Sequence, residues 1–140
     1  MPDGWCAPAL AEAPVEKRCQ TSSLYRADQL QELAGCTTLV GMIQEDSVTE
    51  LTDFTGLESV RRIEGRLNIF RSPGFTSLRG LDNLEVVDGN LSIHMNPNLR
   101  SIDSLRRLHT VTGQLFVDNN DTLPQAQVDD LVACVAVGAP

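Results

Sequence analysis

Two carboxylates of this 140-residue chain occupy positions in which paired carboxylates can do chemistry. Glu64 and Asp88 each stand directly before a glycine, and 24 residues separate them. If the chain repeats with that period, the two side chains lie close together, as the acid and base of carbohydrate-cleaving enzymes do. Because no cleft signature accompanies the pair, we favour a structural role over a glycosidase-type enzyme.

The other candidates for chemistry are isolated. His94 and His109 have no cysteine or second histidine at ligand spacing, so we interpret both as surface residues, with His94 pointing outward from a sheet. The run 118–121 offers oxygen ligands that suit calcium, but it lacks the glycine and the distant glutamate of the helix-loop-helix calcium motif, which favours a turn. The sequence therefore predicts no catalytic, cofactor-binding or metal-binding residues.

The four cysteines predict disulfides. Cys6, Cys19, Cys36 and Cys134 form no Cys-x-x-Cys pair, which makes a zinc site an unfavoured interpretation. An even number with wide spacing fits an oxidising compartment, against the alternative of reduced, partly buried thiols.

An internal repeat sets the architecture. Glycines recur every 24 residues, at Gly41, Gly65, Gly89 and Gly113. Two and four positions after each glycine stand the members of two nearly apolar columns: Ile43, Leu67, Leu91 and Leu115, then Glu45, Ile69, Ile93 and Val117. The alternation predicts strands with one buried face that stack as a parallel sheet of a mainly β solenoid, about four coils long. Each glycine is expected at a tight bend or a positive φ.

Other positions of the repeat also carry predictions. The Leu-x-x-Leu-x-x-Val spacing before each glycine is interpreted as short extended pieces joined by corners, with strands near 76–78 and 84–87. The polar column of Ser72, Asn96 and Asn120 should hydrogen-bond the backbones of neighbouring coils. Three acidic residues of the first coil are expected to form a solvated edge: Glu45, Asp46 and Glu50.

A solenoid needs caps, because its two ends would otherwise expose apolar surface. Residues 22–34 and 124–136 have helical apolar spacing and are predicted to cap the two ends of a domain over 19–140. Residues 1–18 are predicted to form an irregular arm in which Trp5 covers apolar surface. The residues expected to begin and end these helices are Ser22 or Ser23 with Gly35, and Thr122 with Pro124 in the first turn.

The coil model limits the disulfide pairings. Cys36 and Cys134 lie about four coils apart at about 4.8 Å each, beyond the reach of a disulfide in a straight solenoid. Two arrangements remain: Cys19–Cys36 with Cys6–Cys134, or Cys6–Cys19 with the other two cysteines not paired to each other. We prefer Cys19–Cys36, which would join the N-terminal cap to the first coil.

The repeat resembles that of the receptor L-domain family. The resemblance covers about residues 19–123 and is clearest from Leu81 to Leu99, in LDNLEVVDGNLSIHMNPNL, and in LRRLHTVTGQLFVDNNDTL. It implies a right-handed β-helix, an extracellular location and no catalysis, and it supports Cys19–Cys36. Hormone binding, known in the growth-factor receptors, is not carried over, because this chain lacks their cysteine-rich modules, membrane span and kinase. The compact coils and composition favour a bacterial member, or another member outside the receptor kinases.

Charge and hydropathy argue against several classes of binding partner. The net charge of -8 argues against nucleic acid and against docking on anionic lipid. No apolar run is long enough to insert into a membrane, and the start of the chain has no export signal, which leaves a cytosolic protein or a mature exported chain. The cysteines favour the exported one, extracellular or at a cell surface.

The outward columns of the glycine-phased sheet are the predicted partner-binding surface. Phe70, His94, Met95 and Phe116 would form a mixed apolar and polar patch, flanked by Arg66 and Asn68. We expect a non-catalytic recognition module for a protein or a glycan. The alternatives are a structural envelope component without a discrete ligand, and an N-terminal arm that covers these groups.

Overall fold

The computed structural model describes residues 5–8, 15–21, 26–46 and 48–138, and these contain mainly parallel β-sheet with two α-helices. The strands are β1 Arg18–Gln20, β2 Thr38–Val40, β3 Ile43–Asp46, β4 Arg62–Glu64, β5 Leu67–Phe70, β6 Val86–Asp88, β7 Leu91–His94, β8 Thr110–Val111, β9 Leu115–Asp118 and β10 Ala136–Val137. One sheet has the strand order β1-β2-β4-β6-β8-β10 and the other β3-β5-β7-β9. The helices are α1 Ala27–Glu32 and α2 Gln125–Cys134.

The strand pairing follows the 24-residue repeat. In the four-stranded sheet Leu67 is paired with Leu91, and Leu91 with Leu115, all in parallel. The six-stranded sheet keeps the same offset where Ile63 is paired with Val87. The predicted stacking of equivalent aliphatic residues is confirmed, and each complete repeat contributes one strand to each sheet.

The core lies between the two sheets. The inward side chains of β5 and β7 are buried, and buried residues of β4 and β6 belong to the same hydrophobic cluster. In β9, by contrast, Leu115 and Val117 are only partly buried. The described part of the core is therefore less covered at the β9 end.

The glycine that begins each repeat lies where backbones approach closely. Gly89 has a φ of +150°, and a Cβ there would collide with the carbonyl group of Gly65 in the preceding repeat. A side chain at this position would be excluded both by the φ angle and by the neighbouring backbone.

The prediction of extended pieces joined by corners in the Leu-x-x-Leu-x-x-Val segments is correct only in part. The leucine positions lie in successive turns with i+3 to i hydrogen bonds, such as Leu81 N to Leu78 O at 3.2 Å and Leu84 N to Leu81 O at 3.0 Å. In the last repeat they become a 3-10 helix, Asp103–Arg107. Apolar residues three apart suit this geometry, because side chains three apart align in 3-10 turns. Of the two strands predicted here, only the second is present, as β6, and Ser77 makes an isolated bridge to Ser101.

The polar column forms the predicted ladder. Asn96 Oδ1 accepts from Ser72 N at 3.0 Å, and Asn120 Oδ1 accepts from Asn96 N at 3.0 Å. The side-chain amide of Asn96 donates to Ile69 O, and that of Asn120 to Ile93 O, each at 3.0 Å. Because the two asparagines are buried, their amides serve the backbone and not a ligand.

The helix predicted to cap the N-terminal end is shorter in its described part than expected. It begins at Ala27, and Ser22 and Ser23 lie outside the described residues. Leu30 and Leu33 are buried as expected, whereas Ala27 and Ala34 are exposed. Gly35, with a φ of +84°, follows the end of the helix.

The helix predicted to cap the C-terminal end begins after Pro124, and three expectations for it are wrong. Thr122 does not cap it, because its hydroxyl donates to Pro97 O at 2.9 Å and to Leu99 O at 2.8 Å. The chain leaves the helix after Cys134 and enters β10, where Ala136 N donates to His109 O at 2.9 Å. Val132, placed on the inner face by the helical spacing, is exposed.

Two disulfides join residues near the N-terminus to later parts of the chain. They are Cys19–Cys36 and Cys6–Cys134, with Cα atoms 6.0 and 5.1 Å apart, and they pair all four cysteines, each of which lies in the described part of the chain. The preferred arrangement is confirmed. Trp5 is 7% exposed and belongs to the hydrophobic core, as predicted.

The first repeat differs from the prediction of a solvated acidic edge. Glu45 is 0% exposed, because it occupies the inward column of β3 and is paired with Ile69. Alternation along the strand therefore decides its position, in spite of its charge. Glu50 is exposed as expected.

Candidate ligand-binding face

The paired carboxylates form salt bridges on the six-stranded sheet. Arg18 donates to both oxygens of Glu64, at 2.6 and 2.9 Å, and Arg62 contacts both Glu64 and Asp88. The hydrogen bonds from Arg18 lower the pKa of Glu64 below its ordinary value, and the same pairing raises the pKa of Arg18. A general acid needs the opposite shift, so this geometry supports a structural role for the pair.

The outward face of the four-stranded sheet carries the residues predicted to bind a partner. We use the name aromatic patch for Phe70, His94, Met95 and Phe116. The rings of Phe70 and His94, on adjacent strands, have centroids 4.3 Å apart. His94 Nδ1 lies 3.5 Å from Asp118 Oδ1. The imidazole therefore lies between the Phe70 ring and the Asp118 carboxylate.

The aromatic patch is partly exposed. Phe116 is 46% and Met95 47% exposed, whereas Phe70 and His94 are half-buried. Residues 1–4 and 9–14 of the arm that was considered as a cover lie outside the described residues. Met42, one position after Gly41, is also exposed, and we did not include it among the binding residues although it belongs to an outward column of the repeat. A large exposed apolar group with polar neighbours is typical of contact surfaces.

The structure does not bring all the predicted residues to the surface. Arg66 is exposed before β5, but Asn68 is only 7% exposed, although it lies in the outward column between Gln44 and Ser92. Asn68 therefore has little area to offer a ligand. The exposed surface is concentrated toward the β9 end of the face.

A backbone feature of this face was not predicted. Arg71, Met95 and Asn119 each follow a strand of the four-stranded sheet, and their φ values of +46°, +59° and +55° are left-handed. Asparagine adopts this conformation readily, whereas methionine does so rarely. In Met95, which directly follows His94, this conformation accompanies a residue that is 47% exposed.

Two other surfaces offer weaker sites. A groove of about 340 Å³ on the six-stranded sheet is lined in part by Arg61 and Glu85, whose side chains already form an ion pair of 2.8 Å. A hollow of about 560 Å³ beside the 3-10 helix is lined by short polar and charged side chains. Neither combines exposed aromatic and polar groups as the outward face does.

The remaining candidates for metal chemistry do not converge. In the run 118–121, Asp118 lies beside His94 while Asn120 is buried in the ladder, and His109 is exposed with Nδ1 2.8 Å from Thr110 Oγ1. Within the described ranges, no three histidine, cysteine or acidic side chains are grouped to hold an ion.

Comparison with protein families assigns the fold to a class of ligand-binding modules. The model of the receptor L domain matches residues 35–128, which include all four glycine-phased strands of the four-stranded sheet. The chain belongs to the receptor L-domain family. Members of this family bind ligands and are not enzymes. Comparison with curated protein sequences gives no significant match.

In the part of the chain that the structure describes, neither helix is long and apolar enough to cross a membrane.

Proposed function

We propose that this protein is a non-catalytic extracellular recognition module that binds a protein or a glycan through the aromatic patch. The observation that carries the proposal is the cluster of exposed Phe116 and Met95 beside the Phe70–His94 ring pair on a sheet of a ligand-binding family. Aromatic rings suit both classes of partner, because they fill hydrophobic pockets of proteins and stack against the apolar faces of the sugar rings of glycans.

The proposal includes the form of the scaffold. The repeats wind as a right-handed β-helix of about four coils, with α1 and α2 at the two ends. The constant 24-residue offset in both sheets supports successive coils, and the handedness agrees with the rule for parallel strands joined by crossovers. Such a scaffold holds the patch on rigid strands, so binding costs little ordering entropy.

The extracellular location rests on the disulfides. All four cysteines are paired, and one bridge closes a sequence separation of 128 residues. Such bonds persist in oxidising compartments and are rare in the cytosol. The net charge of -8 makes nucleic acid an unsuitable ligand, because phosphates require a basic face.

A structural envelope component without a discrete ligand is the alternative function. A uniformly polar sheet face that self-associates would favour it. The exposed side chain of Phe116 favours recognition instead, because nothing in the fold requires an outward phenylalanine on β9.

The test compares two single variants that each remove one exposed apolar side chain. Phe116→Ser lies on the patch, and Val132→Ser lies on α2, away from the face, where Val132 is likewise exposed. The labelled proteins, together with Phe70→Ser/Phe116→Ser, are applied to intact cells and to a glycan array. We expect binding by the wild type and by Val132→Ser, and at least a tenfold loss in both patch variants.

The result that would overturn the proposal is equal binding by the wild type and the double patch variant. Thermal unfolding of all the variants checks that a loss of binding does not come from a loss of fold. A monomeric wild type that binds neither cells nor glycans would also count against recognition.

A further inference from the structure

The strand β9 is the last described strand of the four-stranded sheet, and its outer edge is unpaired there. Its inner edge is paired with β7, since Leu91 N donates to Gln114 O at 2.9 Å and Met95 N to Asp118 O at 3.4 Å. In a strand, the amide and carbonyl of one residue point to the same side and alternate from residue to residue. Residues 114, 116 and 118 therefore face β7, while Leu115 and Val117 direct their backbone groups outward.

The side chains at this edge are also incompletely covered. Leu115 and Val117 continue the inward columns that are fully buried in β5 and β7, yet both are only partly buried. Phe116, on the outward side of the same strand, is exposed. An edge strand with open backbone groups and apolar side chains is a template for another strand.

We propose that the outer edge of β9 binds an extended, basic polypeptide segment as an added parallel strand. The backbone groups of Leu115 and Val117 require a strand as the occupant. The uncovered inward side chains require apolar residues in that strand opposite Leu115 and Val117, with Phe116 contacting the residue between them. This site is separate from the Phe70–His94 pair and does not depend on ligand binding there.

Charge defines the rest of the partner. Asp118 ends β9 and is exposed, and Asp121, three residues further along the chain, is exposed too. The whole chain carries a charge of -8. A lysine or arginine in the added strand opposite Asp118 would lie beside this carboxylate. The attraction between the two charges would speed association and help to fix the register of the added strand against β9.

The ladder of amides fixes the register of the added strand. It runs from Ser72 through Asn96 to Asn120, with each member 24 residues from the next. An asparagine in the bound segment, five positions after the residue opposite Leu115, would extend the ladder by one member. The site therefore selects the pattern apolar-x-apolar-basic-x-Asn.

The experiment uses the whole protein and a synthetic capped peptide, Gly-Gln-Leu-Tyr-Ile-Lys-Gly-Asn, with a fluorescent label. Fluorescence anisotropy measures its affinity, and amide NMR locates it. We expect saturable binding, with shifts and slowed hydrogen exchange at the amides of Leu115 and Val117. Changing the peptide lysine to glutamate should weaken binding at least fivefold.

Two matched pairs of controls test the backbone bonds. N-methylation of the peptide's Tyr and Lys removes the amide hydrogens that face β9 and should weaken binding at least tenfold. N-methylation of its Leu and Ile removes amide hydrogens on the side away from β9 and should change the affinity less than threefold. In the protein, Val117→Pro removes an outward amide and should weaken binding at least tenfold, while Val117→Ala keeps that amide and should weaken it less. The methylated peptides act on wild-type protein, so they decide the matter even if Val117→Pro fails to fold.

Other outcomes would overturn the proposal. Equal affinity of the two methylated peptides would show that no strand is added. A wild-type dimer that Val117→Pro converts to monomer would assign the edge to a second copy of this chain. Because Phe70→Ser should bind the peptide like the wild type, a failure at the aromatic patch and a failure at this edge remain distinguishable.

Discussion

At the scale of single residues, the buried asparagines explain how a narrow core accommodates polar groups. Asn96 is 0% exposed, yet its oxygen accepts from one repeat and its nitrogen donates to the carbonyl of Ile69. A buried amide is tolerated when its donors and acceptors are satisfied, and then it fixes geometry as apolar groups do not. The ladder therefore sets the register between successive repeats.

Removing one member of the ladder should be costly. We expect Asn96→Ala to lower the free energy of unfolding by about 2–4 kcal/mol, because it leaves Ser72 N and Ile69 O buried without this partner. The control is Asn98→Ala, whose exposed side chain bonds only to Pro73 O, at an expected cost below about 1 kcal/mol. Urea unfolding measures both, and equal losses would contradict a structural role for the ladder.

At the scale of elements, the salt bridges connect the arm to the sheet. Arg18 lies on β1 and reaches past β2 to Glu64 on β4, whose neighbour Arg62 reaches Asp88 on β6. The charges alternate across the face, so each carboxylate lies beside a guanidinium. Three strands that are distant in sequence are thereby tied together at the edge where β1 ends the sheet.

This pairing predicts a pH dependence of stability. The pKa of Glu64 is lowered in the folded protein by the hydrogen bonds from Arg18, so its stabilisation is complete above the ordinary glutamate range and is lost as pH falls through the folded pKa. Glu64→Gln should therefore be less stable than wild type at neutral pH and should approach it in acid. The difference is expected to be small because the pair is partly solvated. Thermal unfolding from pH 7 to pH 2 measures it, and a constant difference would contradict the assignment.

The sequence predicted the glycine-phased strands better than the segments between them. Alternating apolar residues after Gly65 and Gly89 specify an inward and an outward face, which also located the aromatic patch. The Leu-x-x-Leu-x-x-Val spacing is ambiguous, because apolar residues three apart serve both corners and 3-10 turns. The end of α2 was missed because Val135 fits helical spacing, while the edge of β8 offers the next residues hydrogen bonds.

Parts of the site depend on neighbours that are distant in sequence. Asn68 was expected at the surface but is only 7% exposed, and its strand is paired on both sides, with Gln44 and Ser92 opposite Asn68. The partner of Glu64 is 46 residues away, so no local pattern identifies Arg18. The open edge of β9 is visible only once the strand order is known.

At the scale of the whole molecule, two disulfides join residues near the N-terminus to parts of the chain that are distant in sequence. Cys19 is bonded to Cys36 beside β2, while Cys6 is bonded to Cys134 at the end of α2. The arm is also held by Ala7 N, which donates to Arg106 O at 2.9 Å. Because Trp5 is buried in the same core, the described residues 5–8 of the arm belong to the fold.

Breaking the long bridge should destabilise the protein. We expect Cys6→Ser/Cys134→Ser to lower the free energy of unfolding by about 3–5 kcal/mol, since the bridge closes a long loop in the unfolded chain. Urea unfolding measures the loss. The strand register of both sheets should persist, because Cys6 and Cys134 do not belong to any strand. NMR chemical shifts of residues in β5 and β7 check this. A loss below about 1 kcal/mol would mean that the bridge does not stabilise the fold.

The most direct measurement of the central claim, that ligand binds the outward face of the four-stranded sheet, is site-specific photocrosslinking on intact cells. A photoreactive amino acid replaces Gln114, exposed at the border of the face, or His109, exposed beside β8 of the other sheet. We predict crosslinked adducts from position 114 and none from position 109. Competition with excess unlabelled wild-type protein should suppress the adducts from position 114, whereas competition with excess Phe70→Ser/Phe116→Ser should not. Competed adducts from position 109 alone would contradict the account.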